Sequence, residues 1–186
     1  MLLSDLLHDW HDYYLLAGTA SATLVGLMFV AASIGASIFN EEYRPGMKAF
    51  LSPTVVHFSA VLVISLLLTV PIHRWSVLGG LLGVGGFLGT AYSARILVQI
   101  VIRQKFKVDL LDRLFYALLP VTGYVLVLVS AVLLLVQAPA AVAMIAIAVL
   151  VLLLAAIRNA WDMTIWIAIR APSSGPRETS PPPPAS

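Results

Sequence analysis

The chain contains no cysteine, which excludes disulfides, thiolate metal sites and cysteine nucleophiles and leaves the redox compartment open. Charge is scarce as well. Only 11% of residues are Asp, Glu, Lys or Arg, against about 25% in soluble domains. A soluble domain of this length needs a charged shell, and there are too few charges here to build one. Catalytic signatures are also missing. Asp162 has no second carboxylate positioned to make the acid pair of a hydrolase, His8 and His11 form no zinc motif, and the glycines do not follow a strand or precede a lysine as in a phosphate-binding loop. Ser59 and Ser93 lack a flanking pattern that would single either out as a nucleophile. A non-enzymatic protein without a cofactor is expected, and no run is basic enough to expect nucleic-acid binding.

What is present is apolar length. The chain is 60% hydrophobic with a mean hydropathy of +0.97, and its apolar runs reach the roughly 20 residues needed to cross about 30 Å of hydrocarbon. Because only helices satisfy their own backbone in lipid, the expected fold is an all-α membrane protein. It is read as a bundle of five transmembrane helices with a short N-terminal interfacial helix. The spans are placed at about 14–39, 53–70, 77–102, 114–136 and 140–169, within a membrane domain of 14–170. Pro45-Gly46 reads as a turn, Pro53 and Pro139 as helix starts, and Pro71 as a helix end. Residues 171–186, with Pro181 to Pro184, are expected to be a disordered cytoplasmic tail.

Residues 1–13 are too polar to span. Leu3, Leu6, Leu7, Trp10 and Tyr14 recur at helical spacing opposite Asp5, His8, Asp9 and Asp12, the pattern of an amphipathic helix on the outer surface. His8 and Asp12 share a face if that helix is continuous, but two ligands do not make a metal site. Trp10, Tyr13 and Tyr14 read as interface anchors.

Orientation follows from the distribution of basic residues. Arg44, Lys48, Arg103, Lys105, Lys107, Arg113, Arg170 and Arg177 fall on one side and Arg74 on the other. This places the amino terminus outside and the carboxyl terminus in the cytoplasm. No cleavable leader is visible, so the first span itself is expected to direct insertion. The basic run at 103–107 is expected to lie on anionic inner-leaflet lipids.

Small residues indicate how the spans pack. Gly18, Ala22 and Gly26 repeat every fourth position, and Gly79, Gly83 and Gly86 belong to a glycine-dense span whose glycines cover more than one face. A homo-oligomer seam or a membrane-protein partner is compatible with the same surfaces. Polar residues are lopsided: His57, Arg95, Arg158, Asn159 and Asp162 all fall toward the cytoplasmic half of their spans, His57 about one turn inside that boundary. Charges within spans are costly and mark function by default. The cluster reads in one of two ways. It is either a structural set in which the arginines reach lipid phosphates or pair with Asp162, or a cytoplasm-facing anion- or proton-linked site of a channel or transporter subunit.

The segment Tyr14 to Ile34, YLLAGTASATLVGLMFVAASI, together with Arg158-Asn159-Ala160-Trp161-Asp162, resembles a family of small, uncharacterised bacterial multi-pass integral membrane proteins. That resemblance implies a bacterial inner-membrane location and the same helical fold, and it carries no activity or ligand. The role expected from all this is a small structural or accessory membrane component, with transport as the alternative.

Overall fold

The computed structural model describes residues 3–38, 44–71, 74–102 and 118–170. Among them the chain is all-α, with six helices: α1 (Leu3–Asp9), α2 (His11–Ile38), α3 (Arg44–Thr69), α4 (Trp75–Ile102), α5 (Leu119–Leu135) and α6 (Ala140–Arg170). Three are long and apolar enough to cross a membrane, over His11–Ile34, Trp75–Gln99 and Ala140–Ile165, and two shorter apolar helices cover Pro53–Thr69 and Leu119–Leu135. Their outward faces are those of a lipid-solvated bundle. Leu16, Phe29, Val84, Phe87, Leu88 and Val132 are all more than half exposed, a surface that water would penalise and hydrocarbon does not.

The second expected span, α3, differs from its sequence reading. It begins at Arg44 rather than Pro53, so Pro45 falls in its first turn and Pro53 lies inside it. Proline is tolerated in a first turn because its missing amide would have had no partner there. At Pro53 the helix continues, although proline at that point removes one internal hydrogen bond. His57 is therefore not close to the end of its helix. It falls near the midpoint of α3, roughly 18–20 Å from either end at about 1.5 Å per residue. For the fourth span, the reading that it starts at 114 lies outside the described residues, as do the basic run at 103–107 and the tail at 171–186.

Packing follows the order α4, α5, α6, α3, α2, with each helix in extensive contact with the next, while α3 and α4 barely touch. Between those two lies an apolar cleft of about 90 Å³ lined by Ile64, Leu82, Gly86, Val127 and Tyr124. The α4–α5 contact is made by glycine. A Cβ added at Gly79 would sit 3.1 Å from the Ala131 carbonyl, one at Gly86 would sit 3.1 Å from the backbone nitrogen of Leu128, and one at Gly89 would overlap the ring of Tyr124. Without side chains at these positions the two backbones approach closely, which substitutes in lipid for the hydrophobic drive that water provides.

On α2 only part of the small-residue stripe is used. A Cβ at Gly18 would meet Ser65 at 3.0 Å, whereas one at Gly26 would meet nothing within 4 Å, and Ala22 is exposed. A repeat of four residues advances about 400° on a helix of 3.6 residues per turn, so the stripe drifts off the contact face by about 40° per step. The face that packs is Tyr14, Ala17, Ser21 and Met28, all buried.

At the other end of α2, Tyr14 is fully buried rather than an interface anchor. Its hydroxyl donates to the Val142 carbonyl at 2.7 Å and that of Tyr13 donates to the Ala146 carbonyl at 2.7 Å, which fixes α2 against α6. The N-terminal segment is broken at Trp10, so α1 is a separate short helix. Its Leu3, Leu6 and Leu7 join the same buried cluster as Leu68, Leu78, Leu134 and Ala141. These leucines cover the end of the bundle, where a free interfacial helix would turn them to lipid. The break also means that His8 and Asp12 no longer share a helical face.

The α5–α6 connection shows how a tight turn is closed. The Ala138 amide donates to the Leu133 carbonyl at 2.8 Å and the Gln137 amide to the Leu134 carbonyl at 3.0 Å, while Gln137 adopts φ 58°. This is the hydrogen-bond pattern of a left-handed helix termination, a conformation that favours glycine. Gln137→Gly is accordingly expected to raise stability by about 0.5–1 kcal/mol, the relieved strain being partly offset by unfolded-state entropy. Thermal unfolding in detergent checks it, and a lower melting temperature contradicts it.

Candidate functional site

His57 sits in the middle of α3 with no exposed surface, and its Nδ1 lies 3.0 Å from the Tyr124 hydroxyl of α5. The two rings are tilted, with centroids 5.6 Å apart, and Tyr92 of α4 presents its ring edge-on to the imidazole at 6.5 Å. Three helices thus meet at one imidazole. Tyr124 reaches it because its ring occupies the space opposite Gly89, so the glycine contact and the polar pair share one geometry. The neighbouring carbonyl of Phe58 accepts a 2.6 Å hydrogen bond from Ser21, which ties α2 to the same level of α3.

One nitrogen of His57 is accounted for and the other is not. Nε2 is buried and finds no hydrogen-bond partner among the described residues. Asn159 is fully buried on α6, and neither its Nδ2 nor its Oδ1 has a partner among the described residues. It shares a face with Ala156 and Met163, three residues before it and four after it, and those two pack against Phe58 and Met28. Buried polar atoms in this condition are uncommon, because each forfeits its hydration without recompense.

The five residues singled out by sequence do not form one unit. Arg158 and Asp162 form an ion pair one turn apart on α6, both side chains partly exposed. Arg95 is exposed on α4, and among the described residues no hydrogen bond or ion pair joins it to the other four. His57 turns instead to Tyr124. Asn159 lies in the α2–α3–α6 core. Among the described residues, no three His, Asp or Glu side chains gather as they would around a metal ion.

Sequence reasoning missed Tyr124 as the partner of His57 and Tyr14 as the partner of Val142. A tyrosine inside a run such as Val121 to Leu135 is a visible signal of buried polarity. Which way it points is set by helix rotation, and hydropathy does not specify rotation.

No family model, curated protein or solved structure matches the chain. The resemblance carried by Tyr14 to Ile34 and Arg158 to Asp162 thus has no family match behind it. What stands is the coarser statement that the long apolar helices are those of a multi-pass membrane protein.

Tyr124→Phe removes the only partner of His57 among the described residues and is expected to destabilise the bundle by about 1–3 kcal/mol, the cost of stranding a buried polar group. A double-mutant cycle with His57→Leu checks the pairing. The two changes together are expected to cost less than the sum of each alone, and simple additivity contradicts a direct bond.

Proposed function

We propose that this chain is a non-enzymatic accessory component of a bacterial inner membrane, threaded five times with its amino terminus outside and its carboxyl terminus in the cytoplasm. Its role is to pack laterally, with itself or with another membrane protein, against anionic lipid on the cytoplasmic side. The observation that carries this reading is the division of the α4 glycines. Gly79, Gly86 and Gly89 are consumed by α5, whereas a Cβ at Gly80 or Gly85 would meet nothing within 4 Å. Glycine inside an exposed helix face costs about 0.5–1 kcal/mol relative to alanine. Gly80 bares the backbone outward to any helix that approaches from the membrane, the kind of surface on which lateral association in lipid depends, whereas Gly85, about 140° further round the helix, opens onto the cleft between α3 and α4.

The charged residues support the same reading over an anion vestibule. Arg158 spends its charge on Asp162 of its own helix, and Arg95 is exposed on a different helix, from where a long side chain reaches lipid phosphate. An anion carrier needs such arginines to converge on one ligand.

Bulky substitutions separate the two glycine sets. Gly80→Leu is expected to leave the stability of the isolated chain within about 0.5 kcal/mol of the parent, as open surface sites usually do, while abolishing chemical cross-linking to neighbours in native membranes. Gly89→Leu is expected to destabilise the chain itself. If Gly80→Leu cross-links like the parent, lateral packing through this face is wrong. Reporter fusions at Ser4 and Ser186 test the threading independently: opposite compartments are expected, and a shared compartment overturns five spans.

A further inference from the structure

Along the interior, the unsatisfied polar atoms are unevenly distributed. Counting from the connections at the α1 end, at about 1.5 Å per residue, Ser65 lies within roughly 6 Å and His57 at roughly 18 Å. Thr90 follows at roughly 22 Å, and Ser93 and Asn159 at roughly 27–29 Å. Each has at least one buried side-chain atom with no partner among the described residues. Around Ser65 toward the α1 end the interior is mainly apolar, and the buried hydroxyls of Ser130 and Tyr14 there donate to the carbonyls of Leu126 and Val142. Val61, Ile64, Leu68, Leu78, Leu82, Val127 and Leu134 are all buried there. From His57 toward the end that carries Arg95 and Arg158, unpaired polar atoms recur on α3, α4 and α6.

The register of α4 against α5 supports a common path. Gly79 meets Ala131 and Leu135, Gly86 meets Val127 and Leu128, and Gly89 meets Tyr124. Ser93 is one turn further on the same face as Gly89. It therefore lies just beyond the level of Tyr124, on the arginine-bearing side of the His57–Tyr124 pair.

We propose that His57 is a proton-binding site that communicates with water only at the arginine-bearing end of the bundle, through a file of water molecules held by Thr90, Ser93 and Asn159. The imidazole has the right chemistry. With Tyr124 on Nδ1, its Nε2 is left to donate or accept a hydrogen bond, whichever tautomer is present. A buried amide such as Asn159, with both ends open, supplies the two to four polar contacts that an internal water requires only in combination with neighbouring hydroxyls, and Ser93 and Thr90 are hydroxyls. Among the described residues the opposite half offers only Ser65 with an open side-chain atom, the hydroxyls of Ser130 and Tyr14 being bonded to carbonyls, so the file stops at His57. The groups facing the imidazole are few. From α5 it is Tyr124 and from α4 it is Tyr92. On α2 no titratable residue occurs between Tyr14 and Ile38, and on α6 none occurs before Arg158, whose charge is balanced by Asp162. Among the described residues, the proton added to His57 is thus the one charge change at that depth. This site goes beyond lateral packing and does not depend on it.

The test is nuclear magnetic resonance of the full chain labelled with ¹⁵N-histidine, in vesicles of phosphatidylethanolamine and phosphatidylglycerol, the His57 signals assigned by their loss in His57→Gln. The expected result is magnetisation transfer from water to the His57 imidazole and a change of its protonation state as the pH is lowered. Asn159→Leu with Ser93→Ala is expected to abolish the water transfer, and Ser65→Ala, in the opposite half, to leave it intact. A parent spectrum with no water transfer and a single protonation state throughout overturns the proposal without any variant having to fold. Water transfer that survives Asn159→Leu with Ser93→Ala but is lost in Ser65→Ala overturns the stated direction of access.

Discussion

The placement of one aromatic ring, Tyr124, in the space left open by Gly89 holds the rest together. The ring can lie there because no Cβ occupies the position. From that seat its hydroxyl crosses to His57 on α3, a helix that α4 itself scarcely touches. Close backbone approach therefore does two jobs at once. It brings α4 and α5 within dispersion range, which drives helix association in lipid, and it aims a polar group at a buried imidazole that has no other hydrogen-bond partner among the described residues. A side chain at residue 89 would disturb both.

The same economy appears at the α1 end. Tyr13 and Tyr14 donate to carbonyls of α6, and Leu3, Leu6 and Leu7 close over the tops of the spans. Hydrogen bonds between membrane helices are individually modest, about 0.6 kcal/mol on average, so these contacts act mainly by fixing rotation and depth. Apolar contact and glycine packing supply the bulk of the cohesion. Polar contacts select one arrangement among the many that an oily surface permits.

Much of this architecture was legible in the residues. Runs such as Val121 to Leu135 and Ala140 to Ile157 declare themselves by length and hydropathy, whereas the glycines of α4, read as meeting several neighbours, make their described close contacts with α5. Three features were not legible, for physical reasons. Pro53 reads as a helix start because proline suits one, yet a helix already committed by its tertiary contacts accommodates it. Gly18, Ala22 and Gly26 look like a single seam, but the mismatch between four and 3.6 residues per turn carries Gly26 away from α3. Among the polar residues, azimuth was not readable, and the depth of His57 was misjudged because α3 begins at Arg44. Arg158 and Asp162, one turn apart on one helix, could be paired from spacing alone, whereas the His57–Tyr124 bond depends on the rotations of two helices far apart in sequence.

Because the chain is naturally free of cysteine, paired cysteines report helix packing without background. A Cβ at Gly83 would lie 3.6 Å from that of Ala131, within the Cβ separation of about 3.5–4.5 Å that a disulfide needs. Oxidation of Gly83→Cys/Ala131→Cys in native membranes should therefore produce a rapid intramolecular cross-link. Gly80→Cys/Ala131→Cys, with position 80 turned outward, should produce none. The reverse pattern, or cross-linking of both pairs alike, would contradict the α4–α5 contact on which the seat of Tyr124 and the His57 pair depend.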